Sequence, residues 1–396
     1  MIKNKKLISF LVVMIFISSF VSYKAGKNAS VFRENTDSNS VDYGSFKPFV
    51  NIINEKFYFD IDYNKMNEAI KKAIFSSLED PYTQYMTEND MKEMKKTSTG
   101  KFVGIGVQVS LNDKGEVVVI SPIKNGPSEK VGILSEDVIL KINGEEAKKN
   151  DLQANIQLIR GNEKVGSPVK LTVRRVVGGE DKILDFELTT EEITTETVDH
   201  KLLDNGILYI SISSFAEKTG ADFEKAVDDG IKNGAKSIII DVRNNPGGLL
   251  TAVKQVADKI LPEGAIMKTV DNKGREDIEK STEGEVDLPI IVLINKGSAS
   301  ASEVLAVSLK DNEKAKLVGE KSFGKGIIQS IFPINNEGKA EGVKITVSEY
   351  FGPKGTKINK VGLEPDYPVT QENLSKIGLK YIKTDLQLQK AIDLLK

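Results

Sequence analysis

The chain has 396 residues, 39% hydrophobic and 28% charged, the proportions of a folded globular protein with room for two or three domains. Its 55 basic against 57 acidic residues leave a formal net charge of −2, which gives no reason to propose a nucleic-acid partner. The absence of cysteine excludes disulfides, thiolate zinc sites and a cysteine nucleophile, and the single histidine, His200 in Thr197-Val-Asp199-His200-Lys201, reads as a surface residue.

Met1 to Tyr23 opens with Lys3, Lys5 and Lys6 and continues as an apolar run from Leu7 to Val21. Such a segment is a secretory signal or a short membrane anchor. No small-x-small cleavage site follows, since Phe20-Val-Ser22 and Tyr23-Lys-Ala25 both carry an aromatic at the outer position. The reading is therefore a single-pass anchor in a cell membrane over residues 1–27, with the lysines cytoplasmic and the body extracytoplasmic. A cleaved signal would instead make the body secreted. Residues 28–96 read as a polar linker, Asn28 to Gly44, and then a helical region. In it Met66, Ala69, Ile70, Ala73 and Ile74 recur three and four apart, and Asp80-Pro81-Tyr82-Thr83 is a turn. These helices are too few to bury a large core; they either cap a domain or mediate a homodimer contact.

Residues 97–192 form a strand-rich module opening with Phe102-Val-Gly104-Ile-Gly106-Val-Gln108-Val. Gly126-Pro127, a short helix, Glu136-Asp137, the hairpin signal Ile142-Asn143-Gly144, a helix from Asp151 to Arg160 and the strand Val169 to Val173 follow in order. This order resembles a PDZ domain. The resemblance implies that backbone amides of the first loop, Phe102, Val103, Gly104 and Ile105, hold the free C-terminus of a protein or peptide, which adds as a strand.

In residues 193–396, Ile207 to Ser213 alternates like a strand, Phe223 to Lys232 like a helix, and Ser237 to Arg243 reads as a buried strand. Asn244-Asn245-Pro246-Gly247-Gly248 then opens an amphipathic helix, and such a turn lets backbone N–H groups approach a ligand unobstructed. A second strand, Ile291 to Ile294, is broken by Asn295-Lys-Gly297; Ser298-Ala-Ser300-Ala-Ser302-Glu303 leads into a helix through Leu309. Strands alternating with helices indicate βαβ units. Ser300 and Glu303 fit a capping box, so Ser300 reads as a helix cap or, at an N-terminus with unpaired N–H groups, as a nucleophile. A strand at Lys316 to Gly319 precedes Gly324-Lys325-Gly326, a glycine-flanked lysine. With one unpromising histidine, a lysine base comes into consideration.

Together these segments resemble the carboxy-terminal processing peptidases, or tail-specific proteases. The matching residues are Asp80-Pro81-Tyr82, the PDZ-like module, Ile210 to Phe215, Asp241 to Gly248, Ser298 to Glu303, Phe323 to Gly326 with Gln329, and Gly362 to Asp366. The resemblance covers about Tyr43 to Lys396, with the motifs in family order. It implies a fold of α/β and β modules: a crotonase/ClpP-like α/β protease core with an inserted PDZ domain and N- and C-terminal helices. It also implies a serine endopeptidase without cofactor or metal, with Ser300 as nucleophile, Lys325 as general base and Gln329 supporting the lysine. The oxyanion hole carries over to backbone amides of Ala301 and of Gly247 or Gly248. Arg160 falls where the family has an arginine implicated in switching to the active state.

Lysine acts as a base only when neutral, and at its ordinary pKa a fraction of about 4 × 10⁻⁴ is neutral at pH 7. Burial among Phe323, Ile327 and Ile328 is expected to lower that pKa. Two other readings remain at this point. A non-proteolytic PDZ scaffold would leave Ser300 as a cap and Lys325 as a turn residue, and an acyl-CoA enzyme would use the same βαβ units and Gly-Gly turn.

Overall fold

The computed structural model describes residues 42–123, 125–160, 164–282, 286–336, 338–371 and 376–396. The expected anchor, 1–27, and most of the linker lie outside the described residues, among which no helix is long and apolar enough to cross a membrane. Described residues up to Glu68 form one compact unit and Ala69–Lys396 a second. In the first, Asp42 caps a 3-10 turn (Tyr43–Phe46) by accepting the Gly44 N–H at 2.9 Å. Helix α1 (Lys47–Lys56) follows, and α2 (Tyr63–Ser76) contains the division.

The second unit continues with strand β1 (Gln84–Met86) and helix α3 (Glu88–Thr99). Thr87 and Asp90 form a reciprocal capping box that starts α3, and Gly100, at φ 66°, ends it. The PDZ module then runs β2 (Lys101–Gly104), β3 (Val107–Leu111), β4 (Val117–Pro122), α4 (Pro127–Lys130), β5 (Val138–Ile142) and β6 (Glu145–Glu146). It ends with α5 (Leu152–Arg160), β7 (Pro168–Val177), β8 (Glu180–Thr189) and β9 (Glu191–Thr194). Its antiparallel sheet has the order β3-β4-β5-β7-β8 with β6 on β5, while β2 and β9 pair separately where the chain enters and leaves. The expected Asn-Gly hairpin is present, with Asn143 at φ 52° and Gly144 at φ 88°. Alternation along β7 buries Val169, Leu171 and Val173 in a core with Ile105, Val117 and Ile139.

The remaining residues run β10 (Val198–Leu202), β11 (Ile207–Ile212), α6 (Thr219–Lys232), β12 (Ser237–Asp241), α7 (Leu250–Ile260), β13 (Gly264–Asp271) and β14 (Glu276–Ser281). They continue with β15 (Ile290–Ile294), α8 (Ala301–Asp311), β16 (Ala315–Gly319), β17 (Ile327–Asn336), β18 (Lys339–Phe351), β19 (Tyr367–Pro368) and α9 (Leu386–Leu394). The main sheet has the order β10-β11-β12-β15-β16-β19, parallel except for β10. Its strands are buried on both faces, which is why Ser237–Asp241 and Ile290–Ile294 read as unbroken apolar runs. One face packs Ile238, Ile240 and Val292 against α6, α7 and α8. The other packs Ile239, Ile291 and Leu293 against Leu388 and Ala391 of α9. A second, antiparallel sheet joins β1, β18, β13 and β14, with β17 on β18, so residues preceding the PDZ module become part of the core.

A buried charge cluster ties α9 to the end of β12. Arg243 has no side-chain exposure and reaches Asp241 at 2.6 and 2.9 Å, both oxygens of Asp385 at 2.8 Å and Gln387 at 2.9 Å. Tyr209 donates its hydroxyl to Asp241 at 2.7 Å. Each buried charge thus has an opposite charge and hydrogen bonds, the condition for tolerating it.

Candidate active site

The neighbouring parallel strands β12, β15 and β16 end on the same side, where ligands meet open α/β sheets. From these ends come the Pro246-Gly247-Gly248 turn, Ser300 and Lys325. Asn295 accepts the N–H groups of Asn244 and Gly297, both at 2.9 Å, and so ties the loop after β15 to the loop after β12. The three serines separate by partner. Ser298 is fully buried and donates to the Val242 carbonyl at 2.8 Å; Ser302 is fully buried and donates to the Asn245 carbonyl at 2.9 Å. Only Ser300, the middle one, is half-exposed.

Ser300 sits at φ 54° and ψ −116°, just before α8. An L-residue there is strained by about 1–3 kcal/mol and is retained where surroundings over-determine it. The surroundings are Glu303 and Tyr350. The fully buried Glu303 carboxylate accepts the N–H of Ser300 (2.9 Å), the Ser322 hydroxyl (2.5 Å) and the N–H groups of Gly324 (2.7 Å) and Lys325 (2.8 Å). The Tyr350 hydroxyl proton is shared between the carbonyls of Ser300 (3.0 Å) and Lys325 (2.5 Å). Burial, and then the charge of Glu303, pushes the Tyr350 hydroxyl well above its usual pKa, so it stays a donor. The expected capping-box glutamate therefore does more than begin a helix: it clamps the backbones of Ser300 and Lys325 together.

Gly247, at φ 102°, lies against this elbow. A Cβ there would come within 2.8 Å of the Ala299 carbonyl and Ser300 Cβ and within 2.9 Å of the Ala301 nitrogen. The expected choice between Gly247 and Gly248 narrows to one. The Gly247 N–H already donates to Asn245 Oδ1 at 2.9 Å, because Asn245 makes an Asx turn. The amides of Gly248 and Ala301 have no acceptor among the described residues, and they are the two donors the site offers.

Lys325 is half-buried, with Nζ 4.5 Å from the centroid of the Tyr82 ring. Burial lowers its pKa, aided by Lys344 and opposed by Asp80 and Glu303. The source of burial differs from expectation: Phe323 is 60% exposed, and the ring of Tyr82 takes the place given to it. No hydrogen bond joins Lys325 to Ser300 or to Gln329 among the described residues. Gln329 Nε2 instead donates to Thr346 Oγ1 at 3.4 Å, since β17 and β18 place Gln329 opposite Thr346. Thr346 in turn donates to Asp80 at 2.6 Å. Sequence reasoning assigned no role to Asp80, Tyr82, Thr346 or Tyr350. The one available signal was the Asp80-Pro81-Tyr82 match, quoted without a function. His200 is exposed on β10, an edge strand.

In the PDZ module a groove of about 250 Å³ runs between β3 and α5, lined by Phe102, Gly104, Ile105, Ile156, Ile159 and Arg160 among others. β3 is an edge strand, open to addition of another. Val103 does not line the groove, whereas Phe102, Gly104 and Ile105 do; Phe102, Val103 and Gly104 all pair with β9 in the β2–β9 ribbon. Arg160 Nη1 lies 3.5 Å from the Glu93 carboxylate on α3.

The family model described as Peptidase family S41 matches residues 206–369, and one described as PDZ domain matches residues 103–190. The chain is 31% identical over 377 residues to the carboxy-terminal processing protease CtpA of Bacillus subtilis (strain 168), covering 95% of this chain and 78% of the relative. It is 36% identical over 333 residues to a carboxyl-terminal-processing protease of Picosynechococcus sp. (strain ATCC 27264 / PCC 7002 / PR-6), covering 83% and 78%. A crystal structure of a Bacteroides fragilis NCTC 9343 protein assigned to the S41 proteases superposes with a TM-score of 0.58 at 16% identity, covering 85% of this chain and 92% of that one, a likeness of fold.

Proposed function

The chain belongs to the carboxy-terminal processing proteases of peptidase family S41, and on that premise we propose that it cleaves peptide bonds with a dyad of Ser300 and Lys325. One observation carries this reading: a single buried carboxylate, Glu303, accepts N–H groups from both residues, at 2.9 and 2.8 Å. Ser300 Oγ attacks the scissile carbonyl carbon while the Lys325 amine takes its proton. The developing oxyanion faces the Gly248 and Ala301 amides at the N-terminus of α8, whose dipole adds to them. Collapse breaks the C–N bond, and the leaving amine takes the proton back from the Lys325 ammonium. Water, activated by the same amine, then hydrolyses the acyl-enzyme. The lysine side chain swings from the Tyr82 ring to Ser300 for this step, in keeping with catalytic hydrogen bonds that tighten only with substrate.

The PDZ groove and the open edge of β3 support capture of a free substrate C-terminus by strand addition, with Gly104 and Ile105 offering amides and Arg160 linking the groove to α3. The apolar run behind three lysines supports an exported body held to the cell membrane, and exposed Phe49 and Ile52 on α1 support a homodimer contact. Incubating the full chain with an unstructured protein tests the reading. Cleavage lost in Ser300→Ala and in Lys325→Ala, with unchanged melting temperatures, supports the dyad. Cleavage retained in either variant sinks it. Mass spectrometry of the native N-terminus tests the anchor: a chain starting beyond Tyr23 would show a removed signal.

A further inference from the structure

The aromatic ring that faces Lys325 comes from a turn preceding the whole PDZ module. Asp80 accepts the Thr83 hydroxyl and the Thr346 hydroxyl, each at 2.6 Å, and the Tyr82 N–H at 3.0 Å. Thr83 in return accepts the Thr346 N–H at 3.0 Å, and β1 immediately continues into β18 pairing through Gln84 and Lys344. The turn is therefore fixed to β18, whose Thr346 also accepts from Gln329 of β17, and it presents the face of Tyr82 to the Lys325 ammonium.

We propose that the Asp80–Thr83 turn completes the surroundings of the base, with Tyr82 as the platform that positions the Lys325 side chain and Asp80 as the positioning residue that fastens this turn to β18 and adds a carboxylate to those surroundings. The inference rests on reading Lys325 as the general base. A base whose pKa is lowered by partial burial has a second requirement: once it takes the serine proton, the ammonium must be stabilised where it is part-shielded from water. An aromatic face and a fixed carboxylate supply that. Against the pull of burial, hydrogen bonds from Thr346, Thr83 and the Tyr82 N–H hold the Asp80 carboxyl below its usual range, so its charge persists at neutral pH. The groups facing the amine then divide by sign. Asp80 and Glu303 favour the ammonium, Lys344 favours the free amine, and the buried Tyr350 hydroxyl stays neutral. Gln329 enters the same arrangement indirectly, through Thr346, rather than by touching the lysine.

The test is the pH dependence of kcat/KM of the full chain on an unstructured protein, compared among the wild type, Asp80→Asn, Tyr82→Leu, Tyr82→Phe and Lys325→Ala. Removing the Asp80 charge lowers the lysine pKa, so the rising limb of Asp80→Asn moves to lower pH, by about 0.5–1 unit. Tyr82→Leu lowers kcat about tenfold, more than it changes KM, and Tyr82→Phe, which keeps the ring face, restores most of that loss. A limb in Asp80→Asn that coincides with wild type overturns the role of Asp80. Should Asp80→Asn fail to fold, the Tyr82 pair decides: Tyr82→Phe as defective as Tyr82→Leu overturns the platform. An active Lys325→Ala sinks the base reading itself. An inactive Lys325→Ala beside an unmoved Asp80→Asn limb sinks this inference alone.

Discussion

Gly247→Ala is the sharpest available perturbation of the nucleophile elbow, because it adds one methyl and removes no hydrogen bond. The new Cβ would sit 2.8 Å from Ser300 Cβ and 2.9 Å from the Ala301 nitrogen, so reaching an ordinary 3.4 Å contact requires a relative shift of about 0.6 Å. Neither side yields easily. Gly247 is held through Asn245 and through the Phe215 N–H on its carbonyl, and Ser300 through Glu303 and Tyr350. Catalytic groups must stay within about 0.5 Å of productive geometry, and an error of about 1 Å costs on the order of 100-fold. The expected loss in kcat/KM is therefore about 10- to 30-fold. An L-residue at φ 102° also costs about 1–3 kcal/mol of stability. Steady-state proteolysis of a fluorogenic unstructured substrate, read beside a urea melt, separates the two effects. A folded Gly247→Ala enzyme within threefold of wild type would refute the close approach of this turn to the nucleophile.

Activity of the wild type is expected to rise with pH along a limb below the ordinary lysine range, since burial lowers the Lys325 pKa and only the neutral amine accepts a proton. Lys344→Gln removes a repelling positive charge, raises that pKa and moves the limb to higher pH; a shift the other way would contradict the assignment. His200→Ala is expected to be nearly silent in the same assay, whereas Lys325→Arg is expected to be dead, because guanidinium stays protonated. Calorimetric titration of a peptide should show binding that falls sharply on amidation of its C-terminus; equal affinity for acid and amide would remove the carboxylate role of Gly104 and Ile105. Asp385→Ala leaves Arg243 with one of its two carboxylates, and a loss of about 3 kcal/mol in urea unfolding is expected.

Local pattern carried the reading a long way. The apolar runs ending at Asp241 and Ile294, the breaks after them and the serines before α8 were legible because parallel strands buried on both faces leave an unbroken apolar signature. The Asn143-Gly144 hairpin was legible because its turn demands positive φ. Long-range pairing was not. Nothing near Tyr82 in the chain announces Lys325, since the contact depends on β1 joining β18 across the whole PDZ module. The partner of Gln329 was missed because register between β17 and β18, with its bulge beside Gln329, decides which side chain it meets. The resemblance leaves Gly247 and Gly248 as alternative donors, and only the Asn245 side chain shows that the Gly247 N–H is occupied. Glu303 was read as a cap because the i to i+3 relation to Ser300 is visible locally, whereas its bonds to the 322–325 segment are not.

The Arg243 bridge has a consequence for when the enzyme comes into being. During synthesis the ribosome delivers the Gly247 turn first, then Ser300, then Lys325, and Asp385 only after all of them. Until that aspartate emerges, the arginine at the root of the oxyanion turn lacks a partner that supplies two of its contacts at 2.8 Å. A nascent chain can thus hold Ser300, Lys325 and the PDZ groove while the strand end that leads into the Gly247-Gly248 turn is still unfastened. The fastening of the Gly247 turn waits on a segment that lies outside the Ser300–Lys325 site.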